Sequence, residues 1–209
     1  IVVAQAGYLP FHELMRIWAG YENFYFLLND YPDMIEKLLI LLEEKFTKVK
    51  KLVIDCPADI ITIDGHFSMD LIPPYIYEKY FLNSFKKISE SLHKCGKFMC
   101  SHTDAEMKGL LDLYLNSGFD IAESYTPPPM TSTSVAECFN VWDNRITIWG
   151  GLASIMFSRK VSLKDFEQHV IDIKQQAWGK KFIAGIGDNA PTDGVIERLI
   201  RAKKLLKGE

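Results

Sequence analysis

The 209-residue chain is predicted to fold as an α/β protein of the TIM (β/α)8-barrel type, with about six of the eight β/α units present. Three observations lead there. Short β-branched or aromatic runs alternate with longer stretches of helical periodicity, and such alternation specifies a parallel sheet. No GxGxxG follows the first strand, which removes support for an open dinucleotide-binding sheet. Polar residues close several consecutive strands, as expected where the loops after barrel strands build the site.

The elements follow in order. Ile1 to Ala4 reads as the first strand, followed by helical patterns over Phe11 to Trp18 and Asn23 to Leu28. Tyr31-Pro32-Asp33 opens a long amphipathic helix to about Val53, with Ile35, Leu38, Leu39, Leu42 and Phe46 on one face. Ala58 to Ile63 is the second strand. Pro73-Pro74 starts a helix to about Cys95, and Gly96 stops it. Phe98 to Ser101, Asp120 to Ser124, Ile146 to Trp149 and Phe182 to Gly185 read as the other strands. Their helices cover Ala105 to Asn116, Ser134 to Val141, Leu163 to Trp178 and Val195 to Leu206. The whole reads as a single domain. Because barrels of this kind take about 250 residues and eight strands, and the chain opens in an apolar run without Met, the N-terminal part is expected to be missing.

Composition narrows the partners. A formal net charge of -3 and no basic stripe argue against nucleic acid. The longest apolar stretches fall short of the ~20 residues of a membrane span. Four cysteines (Cys56, Cys95, Cys100 and Cys138) without a CxxC pair suit a reducing, cytoplasmic setting. An oligomer is compatible with the sequence. The basic runs Lys48 to Lys51 and Arg201 to Lys207 read as solvated helix ends.

The strand ends carry the candidate chemistry: Asp64-Gly65-His66, His102-Thr103-Asp104, Glu123, Trp149-Gly150-Gly151 and Asp188-Asn189. On an extended segment residues i and i+2 point to one side, so His102 and Asp104 can enter one cavity. They suit two ligands of one metal, or a histidine kept protonated by a carboxylate; Asp104 equally suits the cap of a helix starting at Ala105. Glu123 ends an otherwise apolar strand and should be paired, metal-bound or facing the mouth. Gly185-Ile186-Gly187 lets backbone approach a ligand near Asp188 and Asn189. The catalytic candidates are therefore His102, Asp104, Glu123 and Asp188. His66, Tyr125, Trp149 and Asn189 are the candidate substrate contacts, and His102, Asp104 and Asp188 the candidate metal ligands. Pro127-Pro128-Pro129-Met130 reads as a stiff wall over the rim. His12, His93 and His169 fall on helices and read as structural or exposed, and Arg16 is the arginine nearest a strand-end loop.

Several segments together resemble the uroporphyrinogen decarboxylase superfamily, which includes cobalamin-dependent methyltransferases. They are Ile72-Pro-Pro-Tyr-Ile-Tyr-Glu-Lys-Tyr, Leu92-His-Lys-Cys-Gly-Lys, Ser101-His-Thr-Asp, Gly118-Phe-Asp-Ile-Ala-Glu, Ile148-Trp-Gly-Gly and Asp188-Asn-Ala-Pro-Thr-Asp-Gly-Val-Ile-Glu-Arg. The resemblance implies a barrel enzyme, foremost a corrinoid-linked methyltransferase acting on a small molecule, with zinc or another divalent metal and with cobalamin or a corrinoid protein as methyl carrier. Its alternatives are a cofactor-free decarboxylase of uroporphyrinogen or a related carboxylated substrate, and a non-catalytic tetrapyrrole-binding protein. His102 matches the zinc-binding histidine of the methyltransferases, but Asp104 stands where the next cysteine ligand belongs. No cysteine follows near Ile186 to Asp188. Gly185-Ile186-Gly187 stands where the decarboxylases carry Gly-His-Gly. The chain thus reads as a divergent member.

Overall fold

The computed structural model describes residues 1–209. Six strands form one sheet in the order β1-β2-β3-β4-β5-β6, every neighbouring pair parallel. They are β1 (Val3–Gly7), β2 (Ile60–Gly65), β3 (Phe98–His102), β4 (Ile121–Tyr125), β5 (Thr147–Ala153) and β6 (Phe182–Gly187). An order that follows the chain, with no reversal, is that of a barrel wall rather than a doubly wound sheet. β1 and β6 do not pair with each other, so the six-stranded wall is open between them.

The helices lie between the strands: α1 (Pro10–Glu13), α2 (Tyr21–Asp30), α3 (Pro32–Asp55), α4 (Pro74–Tyr77), α5 (Asn83–Lys94), α6 (Leu111–Asn116), α7 (Val135–Trp142), α8 (Leu163–Gln176) and α9 (Glu197–Lys207). Two π-helical turns, Leu14–Ala19 after α1 and Glu78–Leu82 after α4, interrupt stretches that periodicity reads as continuous. No helix is long and apolar enough to cross a membrane.

Period-2 alternation divides each strand between two environments. Ile61, Ile63, Met99, Ala122 and Ile148 face the helices and join a core cluster of 44 buried residues. On the opposite face Ile60, Cys100 and Ile121 pack with Trp149 as a small apolar floor inside the barrel wall. Polar residues stand above that floor at the strand ends. The core beneath the β2 rim is aromatic: Phe67, Tyr77, Phe81 and Phe85 are fully buried, and Phe81 lies 5.4 to 5.9 Å from the rings of Phe11, His12, Phe67, Tyr77 and Phe85. Such edge and offset contacts favour aromatic pairs beyond their buried area, and they hold the loop after β2 in place.

Three local readings change. β5 runs through Trp149-Gly150-Gly151 to Ala153, so these residues lie inside a strand rather than after it. The helix read from Ala105 begins only at Leu111. Gly109 adopts φ +82°, and the Glu106 carboxylate accepts from the backbone N–H of Lys108 and Ser132 and from Thr133 Oγ1, pinning residues 105–109 as a loop. Asp104 therefore caps no helix. The first strand is shifted from Ile1–Ala4 to Val3–Gly7, which puts Gln5 and Gly7 on the interior face.

Candidate active site at the barrel mouth

The C-terminal ends of β1, β2 and β4 are locally distorted. Pairing register shifts occur between Gln5 and Gly7, between Thr62 and Gly65 and between Glu123 and Tyr125. Asp64, His66, Ser124 and Asp188 adopt positive φ of 56 to 65°. Non-glycine residues in that region carry strain that persists where surrounding contacts over-determine it, and such positions gather at functional sites. Gly65 permits the closest approach: a Cβ there would meet His102 Cβ at 2.9 Å.

β3 and β4 set His102 beside Glu123 by register. Glu123 Oε2 lies 2.6 Å from His102 Nδ1. Across the ring, Asp104 Oδ2 is 3.2 Å from His102 Nε2. Asp104 Oδ1 is 2.7 Å from His66 Nδ1 but off the line of a hydrogen bond, which leaves that buried oxygen without an aligned donor. The four side chains form a row of alternating character, His66–Asp104–His102–Glu123.

Asp104 first and Glu123 second stabilise the charged imidazole, outweigh partial burial, and raise the His102 pKa to about 10. His102 is therefore an imidazolium at neutral pH. His66 moves the other way, because its own burial disfavours charge more than Asp104 favours it. Burial is the largest influence on Asp104 and opposes its ionisation, but the two histidines together hold its carboxyl below the usual range.

A cavity of about 550 Å³ opens at this row. His66, His102, Glu123 and Trp149 line it from β2, β3, β4 and β5, and Val3, Gln5, Tyr8 and Arg16 from the segment around β1. Asp64 also borders it, with its carboxylate held by the buried His12 Nδ1 and by the Leu9 backbone N–H. Four of the residues read from the strand ends (His102, Asp104, Glu123 and His66) thus meet, and Trp149 faces the same space.

The others do not join them. Tyr125 is buried; its hydroxyl donates to the Thr133 carbonyl and accepts from Cys138. It faces α7, because the register shift between Glu123 and Tyr125 breaks the alternation that would have put both on one side. Asp188 directly follows the edge strand β6, three strands from the β3 that carries His102. Its backbone N–H donates to Ser124 Oγ, and its carboxylate accepts from Asn189 Nδ2. Neither Asp188 nor Asn189 lines the cavity, and the proline loop does not either. Consequently His102, Asp104 and Asp188 do not assemble as metal ligands, and no three His, Cys, Asp or Glu side chains are disposed to hold a metal ion. Both His102 nitrogens face carboxylates, and burial pushes the Cys100 and Cys138 thiols up to about 12.

Residues that sequence reasoning missed come mainly from the β1 segment. Gln5 was outside the expected strand, and His12, read as structural or exposed, is fully buried against Asp64. The available signal was the alternation Val3, Gln5, Gly7. No local signal pairs His12 with Asp64, 52 residues away. His169 is structural as read, its Nε2 accepting from the Ala153 backbone N–H.

A parallel α/β barrel wall with charged residues gathered at its C-terminal mouth defines the class. The sequence matches the uroporphyrinogen decarboxylase (URO-D) family over residues 10–201, and the chain belongs to that family. Among solved structures, a methyltransferase from Methanosarcina mazei superposes with a TM-score of 0.66 at 16% sequence identity. The alignment covers 97% of this chain and 58% of that one, so the chain spans little more than half of its structural neighbour. At this identity the likeness is one of fold. No curated protein matches the sequence.

Proposed function

We propose that the chain is the site-bearing part of a URO-D-family methyltransferase that relies on acid–base chemistry at His102 instead of a zinc–thiolate centre. The observation that carries this reading is the His102 imidazolium clasped between Asp104 and Glu123 at the mouth of a cavity sized for a small organic molecule. When a methyl group leaves an oxygen or nitrogen of a donor, the heteroatom keeps the bonding pair and needs a proton. His102 Nε2, whose contact to Asp104 is the longer of its two, is the atom placed to supply it. A solvent proton re-forms the imidazolium afterwards, a state that Asp104 and Glu123 favour, and Trp149 and Tyr8 wall the donor from the sides. The methyl acceptor would be a reduced corrinoid, on its own or on a carrier protein, meeting the cavity from the open side of the rim.

Decarboxylation of a carboxylated substrate is the second reading. Arg16 in the cavity wall favours it, since such chemistry needs a cation for the carboxylate.

Incubating the full-length protein with reduced corrinoid protein and a panel of O- and N-methylated donors separates the two. The expected result is donor-dependent appearance of the methyl-cobalt absorbance without stoichiometric zinc, falling about 10²- to 10⁴-fold in His102→Ala. Full activity in His102→Ala, or carbon dioxide release from porphyrinogens with no methyl transfer, overturns it.

A further inference from the structure

His12 and Asp64 are the most deeply enclosed histidine–carboxylate pair of the chain. Both side chains are 0% exposed, and His12 Nδ1 donates to Asp64 Oδ1. His12 stands on α1 and does not line the mouth cavity. Its ring centroid lies 5.2, 5.7 and 5.8 Å from those of Tyr8, Phe67 and Phe81, and its Nε2 has no hydrogen-bond partner. A phenyl ring would fill this aromatic site without burying an unpartnered nitrogen, so what the imidazole adds is its one hydrogen bond.

That hydrogen bond bears on the end of β2. Asp64 and His66 have φ of +60° and +56°. Left-handed backbone strains a residue other than glycine and persists where surrounding contacts over-determine it. The hydrogen bonds that reach the Asp64 side chain all end on its carboxylate. Oδ1 accepts from His12 Nδ1 and from the Gly65 backbone N–H, and Oδ2 accepts from the Leu9 backbone N–H at 3.2 Å. Gly65 belongs to the turn itself, so the turn is tied to its surroundings by Leu9 and His12, and His12 supplies the only side-chain donor. The sheet ladder does not fix this stretch, because the register shifts between Thr62 and Gly65.

The turn decides where the next residues fall. Gly65 pairs with His102, and the His66 backbone N–H donates to the His102 carbonyl at 3.2 Å. His66 Nδ1 then comes 2.7 Å from Asp104 Oδ1, and its ring stands edge-on to that of His102 with centroids 5.8 Å apart.

We infer that His12 is a positioning residue of the row at the barrel mouth: through Asp64 it holds the left-handed turn that seats His66 against Asp104 and beside His102. The inference rests on the reading of that row as the acid–base site, and it adds to the site a buried side chain outside the cavity.

Histidine-selective NMR of the full chain tests it. The nuclear Overhauser peak between the ring protons of His66 and His102 reports their edge-on approach, and each signal is assigned by its absence in His66→Gln or His102→Gln. His12→Phe keeps a ring and removes the donor, so the peak should be lost. His12→Asn returns an N–H donor close to where Nδ1 stood and should keep the peak. A role in stability alone would lower the melting temperature without moving the two rings. Arg198→Met, on the distant α9, is the control for that role: it should melt earlier and keep the peak. If His12→Phe does not fold, Asp64→Asn decides. Asparagine tolerates left-handed backbone, but its single amide oxygen cannot serve both His12 and Leu9, so the peak should lose most of its intensity. The inference is overturned by a peak absent from the parent chain, or at full strength in His12→Phe or Asp64→Asn. Loss in His12→Asn as complete as in His12→Phe, or an equal loss in Arg198→Met, also overturns it. The measurement needs no turnover, so the two readings fail separately. A peak lost in His12→Phe, with no methyl transfer by the parent protein, would sink the proposed reaction alone. Methyl transfer together with a peak that survives His12→Phe would sink this inference alone.

Discussion

Replacing Glu123 by Gln probes the His102 clasp directly. Glu123 Oε2 sits 2.6 Å from His102 Nδ1 and, with Asp104, raises the imidazole from an ordinary value of 6.5 to about 10. An amide keeps the size and accepts a hydrogen bond but carries no charge. A hydrogen bond to a charged group contributes about 1.5–3 kcal/mol, which corresponds to about 1–2 pKa units. The His102 pKa should therefore fall by that amount in Glu123→Gln and remain above 6.5, because Asp104 still holds the ring. The same clasp ties stability to pH. His102 has its pKa raised on folding, so its stabilisation is complete below pH 6.5 and is lost as pH rises toward about 10. The full shift corresponds to about 5 kcal/mol; with the side chain 37% exposed, solvent screening brings the expected loss to about 1–2 kcal/mol. Imidazole NMR titration reads the pKa, with the His102 signal assigned by its absence in His102→Ala, and urea melts at pH 6.5 and 10 read the stability. A His102 that titrates near 6.5 in the parent protein, or one unmoved by Glu123→Gln, refutes the clasp.

Three further outcomes follow from the packing. Phe81→Ala should cost about 3–5 kcal/mol in urea denaturation, since the ring is fully buried among five aromatic rings. Gly65→Ala should displace His102, because the added Cβ lies 2.9 Å from His102 Cβ and 3.3 Å from its backbone oxygen; the NMR titration should show a lowered His102 pKa, and the melting temperature should fall. Arg198→Met should destabilise the chain by about 3 kcal/mol or more in thermal denaturation, as the guanidinium serves the carbonyls of Met156, Ser158 and Val161 at a site only 7% exposed.

What the sequence determined by itself is the succession of elements and the positions that end its strands. Alternation with period 2 against period 3.6 is a local property, so six strands and their helices are legible without knowing what they touch. A strand end that carries His102 and Asp104 can likewise be recognised as rim, and so can one that carries Glu123. The tertiary structure alone decided which rim residues meet. His102 and Glu123 are neighbours because β3 and β4 pair in that register. Asp188, equally polar and equally placed at a strand end, stands apart on the edge strand β6, with its backbone tied to Ser124. The loop 105–109 escapes its helical pattern because Gly109 and the contacts of Glu106 outweigh local propensity. His12 reads as a structural or exposed helix residue and Arg16 only as the arginine nearest a strand-end loop, because the partner of the one and the cavity of the other are concealed by sequence distance. The metal reading of His102 and Asp104 meets the same divide. Two groups two residues apart suggest a pair of ligands, whereas in the fold both nitrogens of the imidazole already face carboxylates. Strand order and register, which no short stretch of sequence encodes, set the suspected metal ligand His102 between two carboxylates.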